Sequence, residues 1–288
     1  MDGTGVPLVT PFDRDGDLAA ERLRELVEWV EDRGVDFVVP CGSNSEAELM
    51  SVEERTRVVE VVAEAADVPV LAGTGHPGLR ETLRQTEQAA AAGADAALVV
   101  TPFYYEHDQD ALAAYYREVA DESPIPVYLY SVPAYTGVAL TAETVADLAD
   151  HDNVAGMKDS SGDLERLQRE RARTADADFD LLVGSGSVYA PGLDAGADGG
   201  VLALANVAPE RASEVFDLHR VGKDDEARQL NAKLVDLNRA ITAEHGVAGA
   251  KAAMRERGAP AGHPRKPHRP LDDAAREELA DLVGAAKP

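Results

Sequence analysis

The chain has 288 residues, of which 44% are hydrophobic, enough for one large domain or two small ones. It carries 53 Asp and Glu against 28 Lys and Arg, a formal net charge of −25, and a surface of that sign argues against nucleic-acid and membrane-surface roles. The single cysteine, Cys41, cannot form an intrachain disulfide, so we expect a reducing, cytoplasmic location.

Lysine is rare in this sequence. Only six of the 28 basic residues are lysine, and Lys158 is the only lysine among the first 222 residues. The acidic residues are spread over the predicted helices, which favours adaptation to concentrated salt over an ordinary acidic protein, because salt screens self-repulsion. The N-terminal residues predict no signal peptide, and no stretch approaches the roughly 20 apolar residues of a membrane span.

Short apolar runs alternate with amphipathic helical patterns along the first 220 residues. The runs predict eight strands, at 5–10, 36–40, 68–73, 96–100, 126–130, 154–158, 180–184 and 199–204. The runs lack polar alternation, which suits parallel strands buried on both faces. The pattern predicts an α/β fold, a (β/α)8 TIM barrel over residues 1–220, with a doubly wound open sheet as the alternative.

The strand pattern stops at about residue 221. Residues 224–241 and 271–286 predict helices, and the segment 255–270 between them is a loop rich in proline and basic residues. We therefore expect a C-terminal helical extension over residues 221–288.

Two side chains at predicted strand ends point to chemistry, because the active site of such a barrel lies at the carboxyl ends of its strands. Lys158 ends the run VAGMK, where burial favours the neutral amine that forms a Schiff base. Tyr130 ends the preceding run, and strands about 4.8 Å apart place its phenol within reach as a proton shuttle. The alternatives are a lysine paired with Asp159 and a tyrosine that anchors a rim loop.

Two glycine-containing segments suggest other sites. Residues 42–46, GSNSE, favour a carboxylate cradle before a helix, with N-capping by Ser43, Asn44, Ser45 or Ser51 as the alternative. Residues 73–78, GTGHPG, fit a dinucleotide-binding glycine pattern, but they follow the third predicted strand, so turn geometry explains them better. The seven histidines show no metal-ligand spacing, and we expect neither a metal nor a cofactor.

Seven segments, in this order, resemble the dihydrodipicolinate synthase and N-acetylneuraminate lyase family: GVPLVTPF, GSNSEAELMSVEER, AGTG, VTPFYY, YSVPAYTG, VAGMKDSSGD and GGVLALANVAP. The resemblance runs from about residue 3 to the C-terminal helices. It implies a class I, Schiff-base pyruvate aldolase that acts on a small-molecule 2-keto acid without a metal or organic cofactor. It also implies this barrel fold, usually as a homotetramer built from two dimers.

The resemblance assigns roles to several residues. It implies that Lys158 forms the imine with the keto carbon and that Tyr130 is the acid–base group. It implies that Ser43 and Asn44 hold the substrate carboxylate, although Asn44 stands where the family usually has threonine. Ser131, after Tyr130, likewise replaces the usual asparagine.

The remaining implied residues concern substrate choice. Tyr104 matches a tyrosine that synthases place in the neighbouring subunit's site, and Gly184 and Leu202 are expected to line the pocket. Synthases carry an arginine in VPSRTG that clamps a second carboxylate, whereas this chain reads VPAYTG. Tyr135, in that position, cannot form a bidentate charge-assisted pair.

The sequence therefore predicts cleavage of 2-keto-3-deoxygluconate, or its 6-phosphate, to pyruvate and glyceraldehyde or glyceraldehyde 3-phosphate. The alternatives with the same chemistry are 4-hydroxy-tetrahydrodipicolinate synthase, N-acetylneuraminate lyase and a keto-deoxy-sugar-acid dehydratase. Outside this chemistry stand a non-catalytic keto-acid-binding barrel and a nicotinamide enzyme.

Overall fold

A computed structural model describes residues 1–287 of the protein. Eight parallel strands form one sheet in the order β2-β1-β8-β7-β6-β5-β4-β3. The strands are β1 (Gly3–Val6), β2 (Phe37–Val38), β3 (Leu71–Gly73), β4 (Ala96–Val100), β5 (Val127–Ser131), β6 (Val154–Asp159), β7 (Asp180–Val183) and β8 (Gly199–Val201). Their side chains are almost all buried, as the unbroken apolar runs require.

The two ends of the sheet, β2 and β3, meet at a narrow seam. A single parallel bridge joins Val38 to Val70. Beside it, the Val38 N–H donates to the Pro69 carbonyl at 3.0 Å, and the Gly73 N–H donates to the Pro40 carbonyl at 2.9 Å. These contacts close the sheet into a (β/α)8 TIM barrel, which confirms the predicted fold and rules out the open sheet.

Helices cover the outside of the barrel and follow its last strand. They are α1 (Ala20–Glu31), α2 (Val52–Ala65), α3 (Leu79–Ala91), α4 (Gln109–Glu122), α5 (Pro133–Thr136), α6 (Ala142–Ala149), α7 (Leu164–Arg173), α8 (Tyr189–Asp194), α9 (Pro209–Arg220), α10 (Asp224–Arg239), α11 (Gly246–Glu256) and α12 (Asp273–Ala286). Local sequence fixes several starts: Ser51 and Glu54 form a reciprocal capping box at α2. No helix within residues 1–287 is both long and apolar enough to cross a membrane.

Five strands, β1, β2, β3, β7 and β8, are shorter than the sequence predicts, and proline explains where β1 and β2 end. β1 ends before Pro7, and β2 ends before Pro40. Proline has no N–H to donate to a neighbouring strand, so a proline inside an apolar run interrupts the ladder. The residues after these prolines form loops at the carboxyl ends of the strands, where the sequence places the site.

The C-terminal helices pack back onto the barrel. The side-chain amide of Asn231, on α10, donates to the Gly186 carbonyl at 2.7 Å and accepts the Ala190 N–H at 3.0 Å. The sequence predicts α10 and α12 but not α11, which begins at Gly246. A division into a barrel and a helical region at residue 220 stays a prediction, although α9 does end there.

Candidate active site

Lys158 and Tyr130 lie side by side at the carboxyl ends of β6 and β5. The two residues are register partners in the parallel ladder. The Lys158 Nζ lies 4.2 Å from the centroid of the Tyr130 ring, and the two residues are only 5% and 6% exposed. The structure therefore brings the predicted amine and phenol together in a nearly dry setting, where a nucleophile and a proton shuttle can act on one substrate.

The surroundings of Tyr130 lower the pKa of its phenol. Burial raises the pKa of Tyr130, but the Lys158 charge and hydrogen bonding from Ser43, Ser160 and Lys158 outweigh it, so the pKa lies below the ordinary value of 10.0. A phenol with a lowered pKa exchanges protons more readily near neutral pH. Tyr130 is thus suited to moving protons during imine chemistry.

Ser160 is part of this arrangement, and the sequence did not single it out. It follows β6, and its N–H donates to the Ser131 carbonyl at 2.9 Å. A Cβ atom added to Gly184 would lie 1.8 Å from Oγ of Ser160. Gly184, expected to line the pocket, therefore leaves the space in which the Ser160 hydroxyl sits. No local pattern signals this contact, since Ser160 and Gly184 come from neighbouring strands.

The loop after β2 has a backbone conformation that suits the predicted carboxylate cradle. Ser43–Ser45 make one 3-10 turn, whose first N–H groups have no partner within it. The turn is flanked by left-handed backbone at Cys41 (φ 59°) and Glu46 (φ 57°), an unusual conformation for residues with a Cβ that is common at functional sites. Ser43 also lines a cavity of about 50 Å³ with Tyr130, and Asn44 belongs to the same turn.

A buried ion pair, between Lys251 and Glu46, holds the end of this turn in place. The Lys251 Nζ, on α11, donates to the Glu46 carboxylate at 2.5 Å and to the carbonyls of Thr10 and His263 at 2.6 and 2.8 Å. Both side chains are fully buried. Burial lowers the pKa of Lys251 to about 8, against the opposing effect of Glu46. The sequence did not predict this pair, whose members are 205 residues apart.

A second buried acidic group lies behind Lys158. Glu170, on α7, is fully buried, and burial together with the neighbouring Asp159 raises its pKa to about 9. Oδ2 of Asp159 and both carboxylate oxygens of Glu170 have no ordinary donor within residues 1–287. A proton on Glu170 can bridge one of its oxygens to Oδ2 of Asp159, which accounts for two of these three atoms.

The glycines of the segment GTGHPG serve packing. A Cβ on Gly73 would lie 2.2 Å from the Cys41 carbonyl oxygen, and one on Gly75 would lie 2.5 Å from the Val100 nitrogen. Gly78 caps α3. The segment therefore brings β3 close to its neighbours, as the turn interpretation expects.

One group within residues 1–287 combines potential metal ligands: Asp194, His219 and Asp224. Asp194 ends α8, the helix that leads into β8, so the group lies at the opposite end of the barrel from Lys158. Arg228 already donates to the Asp194 carboxylate at 2.5 Å. The group adds nothing to the site at the strand ends.

Comparison with known proteins places this geometry in a family. The model of the Dihydrodipicolinate synthetase family matches residues 1–286. The chain belongs to that family. Its members are lyases, and the chain is therefore a lyase of the class I aldolase type, as the resemblance implied.

Two curated relatives and one solved structure illustrate the likeness. An "Uncharacterized DapA-like lyase" of Halobacterium salinarum is 42% identical over 98% of this chain and 94% of its own length. The 4-hydroxy-tetrahydrodipicolinate synthase of Methanothrix thermoacetophila is 39% identical over 96% and 94%. The dihydrodipicolinate synthase of Acinetobacter baumannii, solved in complex with pyruvate, superposes with a TM-score of 0.94 at 33% identity, over 99% of this chain and 98% of that one.

The remaining predicted residues of this dihydrodipicolinate synthetase family member lie at the mouth or in the core. Tyr104 follows β4 with φ at 80°, is 86% exposed, and stacks edge-on against Tyr105. Tyr135, on α5, is 68% exposed, and partial burial and the nearby Tyr130 raise its pKa. Leu202 follows β8, is fully buried and packs in the hydrophobic core, so its pocket-lining role stays a prediction.

Proposed function

We propose that the protein is a pyruvate-type Schiff-base aldolase in which Lys158 is the nucleophile. The position of the Lys158 amine 4.2 Å from the centre of the Tyr130 ring, with both residues buried, carries this proposal. The A. baumannii relative that superposes on 99% of this chain was solved with pyruvate bound, which supports a 2-keto acid as the substrate class.

The proposed steps use three parts of the site. Neutral Lys158 adds to the keto carbon, and loss of water gives the imine. The N–H groups that open the turn at Ser43 and Asn44 hold the carboxylate. In cleavage, Tyr130 takes the proton from the reacting hydroxyl as the carbon–carbon bond breaks, the protonated imine accepts the bonding electron pair to become an enamine, and protonation of the enamine on carbon 3 restores the imine. In condensation, the imine loses a carbon-3 proton to give the enamine, whose electron pair forms the new bond while Tyr130 protonates the aldehyde oxygen. Hydrolysis of the imine regenerates the amine.

The names of the relatives support the synthase activity, in which aspartate semialdehyde is the second substrate. They support it better than the sugar-acid cleavage that the sequence predicts. Curated relatives from Methanothrix thermoacetophila and Geotalea daltonii, at 39% and 37% identity, are named 4-hydroxy-tetrahydrodipicolinate synthase. On this proposal the enamine attacks the aldehyde carbon of aspartate semialdehyde. Tyr135 then contributes one neutral hydrogen bond where family synthases use an arginine.

Tyr135 favours a second candidate function, cleavage of a 2-keto-3-deoxy sugar acid. A buried carboxylate that loses a charge-assisted partner costs roughly 1–3 kcal/mol or more, so a site without that arginine suits a polyol tail better. The exposed phenol of Tyr135 near Tyr130 offers a donor and an acceptor to hydroxyl groups. This candidate needs no second carboxylate at the pocket mouth.

The assembly is also a proposal. Tyr104 has an aromatic ring in solvent on a strained backbone, an arrangement that a partner surface would stabilise. We therefore propose that Tyr104 completes the site of a neighbouring copy, within the homotetramer that the resemblance implies. Adaptation to concentrated salt fits the net charge of −25 and stands as part of the same proposal.

Borohydride trapping tests the central step. Reduction in the presence of pyruvate is expected to add a stable pyruvate-derived mass to Lys158, located by peptide mass spectrometry. Lys158→Arg keeps the charge but is expected to abolish trapping, whereas Lys233→Arg, at an exposed lysine on α10, leaves it unchanged. Trapping that persists in Lys158→Arg would rule out this nucleophile.

A substrate panel separates the two candidate functions. One assay follows condensation of pyruvate with aspartate semialdehyde, and a second follows pyruvate release from 2-keto-3-deoxygluconate and its 6-phosphate. Tyr135→Arg is expected to raise the first activity and lower the second, because it supplies the missing carboxylate clamp. If Tyr135→Arg changes neither activity, position 135 does not select the substrate.

A further inference from the structure

A large cavity opens between the β1–α1 loop and the segment 257–272 that joins α11 to α12. Its volume is about 990 Å³, the size of small-molecule sites in proteins. Phe12 forms antiparallel bridges with both Leu18 and His263, which fixes the two walls against each other. None of its lining residues also lines the small cavity beside Tyr130. We call it the basic cavity.

The lining carries an excess of positive charge in a strongly acidic chain. Its cationic side chains are Arg14, Arg255, Arg265, Lys266, Arg269 and Arg276, with His263 and His268 beside them. Two carboxylates, Asp13 and Asp15, lie among them. Asp13 already accepts the N–H groups of residues 15, 16 and 17 with one oxygen. The whole chain has a net charge of −25, so this local excess opposes the general trend.

Four of these cations lack a counter-charge. Arg265 pairs with Glu54, and Arg276 pairs with Asp273. The other four cations have no such partner: in the described part of the chain, no carboxylate lies within 4.0 Å of their charged nitrogens. These four are Arg14, Arg255, Lys266 and Arg269. The Arg255 guanidinium donates instead to the Gly262 carbonyl at 2.7 Å.

The charges repel one another where they meet. Burial lowers the pKa of His263, and the charges of Arg255, Arg14, Arg22 and Lys251 lower it further. Burial and the neighbouring Arg276 likewise lower the pKa of Arg255. A bound anion relieves such repulsion, because each cation gains an opposite charge at short distance.

Hydrogen bonds hold the walls of the basic cavity in place. The Arg265 guanidinium donates to the Gly16 and Leu49 carbonyls and to both carboxylate oxygens of Glu54. The N–H of His263 donates to the Phe12 carbonyl at 2.8 Å. The free cations therefore project from a backbone that is held in place before any ligand arrives, which lowers the cost of ordering the site.

We propose that the basic cavity binds a phosphorylated small molecule. Arginine forks match phosphate oxygens and give short charge-assisted hydrogen bonds. The volume accommodates an organic body as well as the phosphate groups, and Pro264, Pro267 and Pro270 offer apolar surface to it. The negative charge of the rest of the chain disfavours a long polyanion such as a nucleic acid.

Titration calorimetry on the full chain tests the proposal, at the lowest salt concentration at which circular dichroism shows the wild type folded. The probes are metal-free pyrophosphate and ADP, with citrate as a carboxylate of similar charge. The variants are Lys266→Glu and Arg269→Glu, both exposed. The matched control is Lys233→Glu, an exposed lysine on α10 outside the cavity.

We expect saturable binding of one pyrophosphate or ADP per chain. Each cavity variant is expected to weaken this binding at least tenfold, while Lys233→Glu leaves the affinity within twofold. Absence of saturable binding by both phosphate probes overturns the proposal, and so does equal loss in the control variant. Citrate binding as tight as that of pyrophosphate overturns the assignment to phosphate. These outcomes are independent of the aldolase assays, because no variant touches the Lys158 site.

Discussion

Gly184 and Ser160 share one space: a Cβ on Gly184 would lie 1.8 Å from the Ser160 Oγ, far inside any allowed contact. Gly184→Ala is therefore expected to displace the Ser160 hydroxyl from Tyr130. We expect a loss of stability of about 1–3 kcal/mol, typical of overpacking, together with reduced pyruvate trapping. Chemical denaturation and borohydride trapping measure the two effects.

Gly284→Ala is the matched control for that change. Gly284 lies on α12, and an added Cβ meets no atom within 4 Å. An alanine in a helix is favoured over glycine, so the control is expected to stabilise the protein by about 0.5–1 kcal/mol without affecting trapping. A Gly184→Ala enzyme that is as stable and active as wild type would contradict the steric argument.

Ser160→Ala is expected to shift the pH dependence of activity. The pKa of Tyr130 is lowered partly by hydrogen bonding from Ser160, so removing that hydroxyl raises the pKa. The limb of the kcat/KM profile that requires the phenolate should then move to higher pH. Ser123→Ala, between α4 and β5, should leave the profile in place. An unshifted profile for Ser160→Ala would show that Ser160 does not tune the phenol.

The buried pair of Lys251 and Glu46 should show strong coupling. Lys251→Met leaves an uncompensated buried carboxylate, which typically costs about 3–5 kcal/mol. The double variant Lys251→Met with Glu46→Gln is expected to lose less than the sum of the single losses. A double-mutant cycle from denaturation curves measures this difference, and additive losses would mean that the two residues do not interact.

Protonated Glu170 should make stability fall as pH rises. Its pKa is about 9 in the fold against an ordinary value of 4.5, so only the unfolded chain releases this proton between those values. The contribution is full below about pH 4.5 and is lost as pH rises towards 9. Glu170→Gln should therefore gain stability relative to wild type with increasing pH, by at most about 1.4 kcal/mol per unit.

Denaturation curves at several pH values measure that trend. Glu165→Gln, exposed on the same helix, is the control and should show the wild-type slope. If Glu170→Gln and wild type lose stability in parallel, Glu170 is ionised in the fold and the shared proton is absent.

Sequence periodicity was sufficient to predict the barrel fold and the positions of Lys158 and Tyr130 at the ends of their strands. Apolar runs predict strands, and a lysine or tyrosine ending such a run must lie at the active end of the barrel. Local pattern therefore placed Lys158 and Tyr130 at that end, while their roles as nucleophile and proton shuttle stay predictions. Strand ends were less accurate, because Pro7 and Pro40 interrupt hydrogen bonding inside runs that remain apolar.

The residues that support the site could not be predicted from local sequence pattern. Glu46 meets Lys251 across 205 residues, and Lys251 lies on α11, a helix that Gly246 and Gly249 obscure in the sequence. The Gly184–Ser160 contact likewise depends on the packing of two strand ends. Such contacts are properties of the closed barrel, so they become visible only when the strands are placed side by side.

A single bridge, between Val38 and Val70, pairs β3 with β2, so this strand pairing is much shorter than the others in the barrel. Amide hydrogens near this pairing should exchange with deuterium sooner than those of β5 and β6, whose ladder is the longest. The turn that we propose to bind the substrate carboxylate, Ser43–Ser45, lies in the loop after β2, so a bound keto acid is expected to stabilise this part of the barrel wall. Slower exchange there on adding pyruvate would report occupancy without any measurement of turnover.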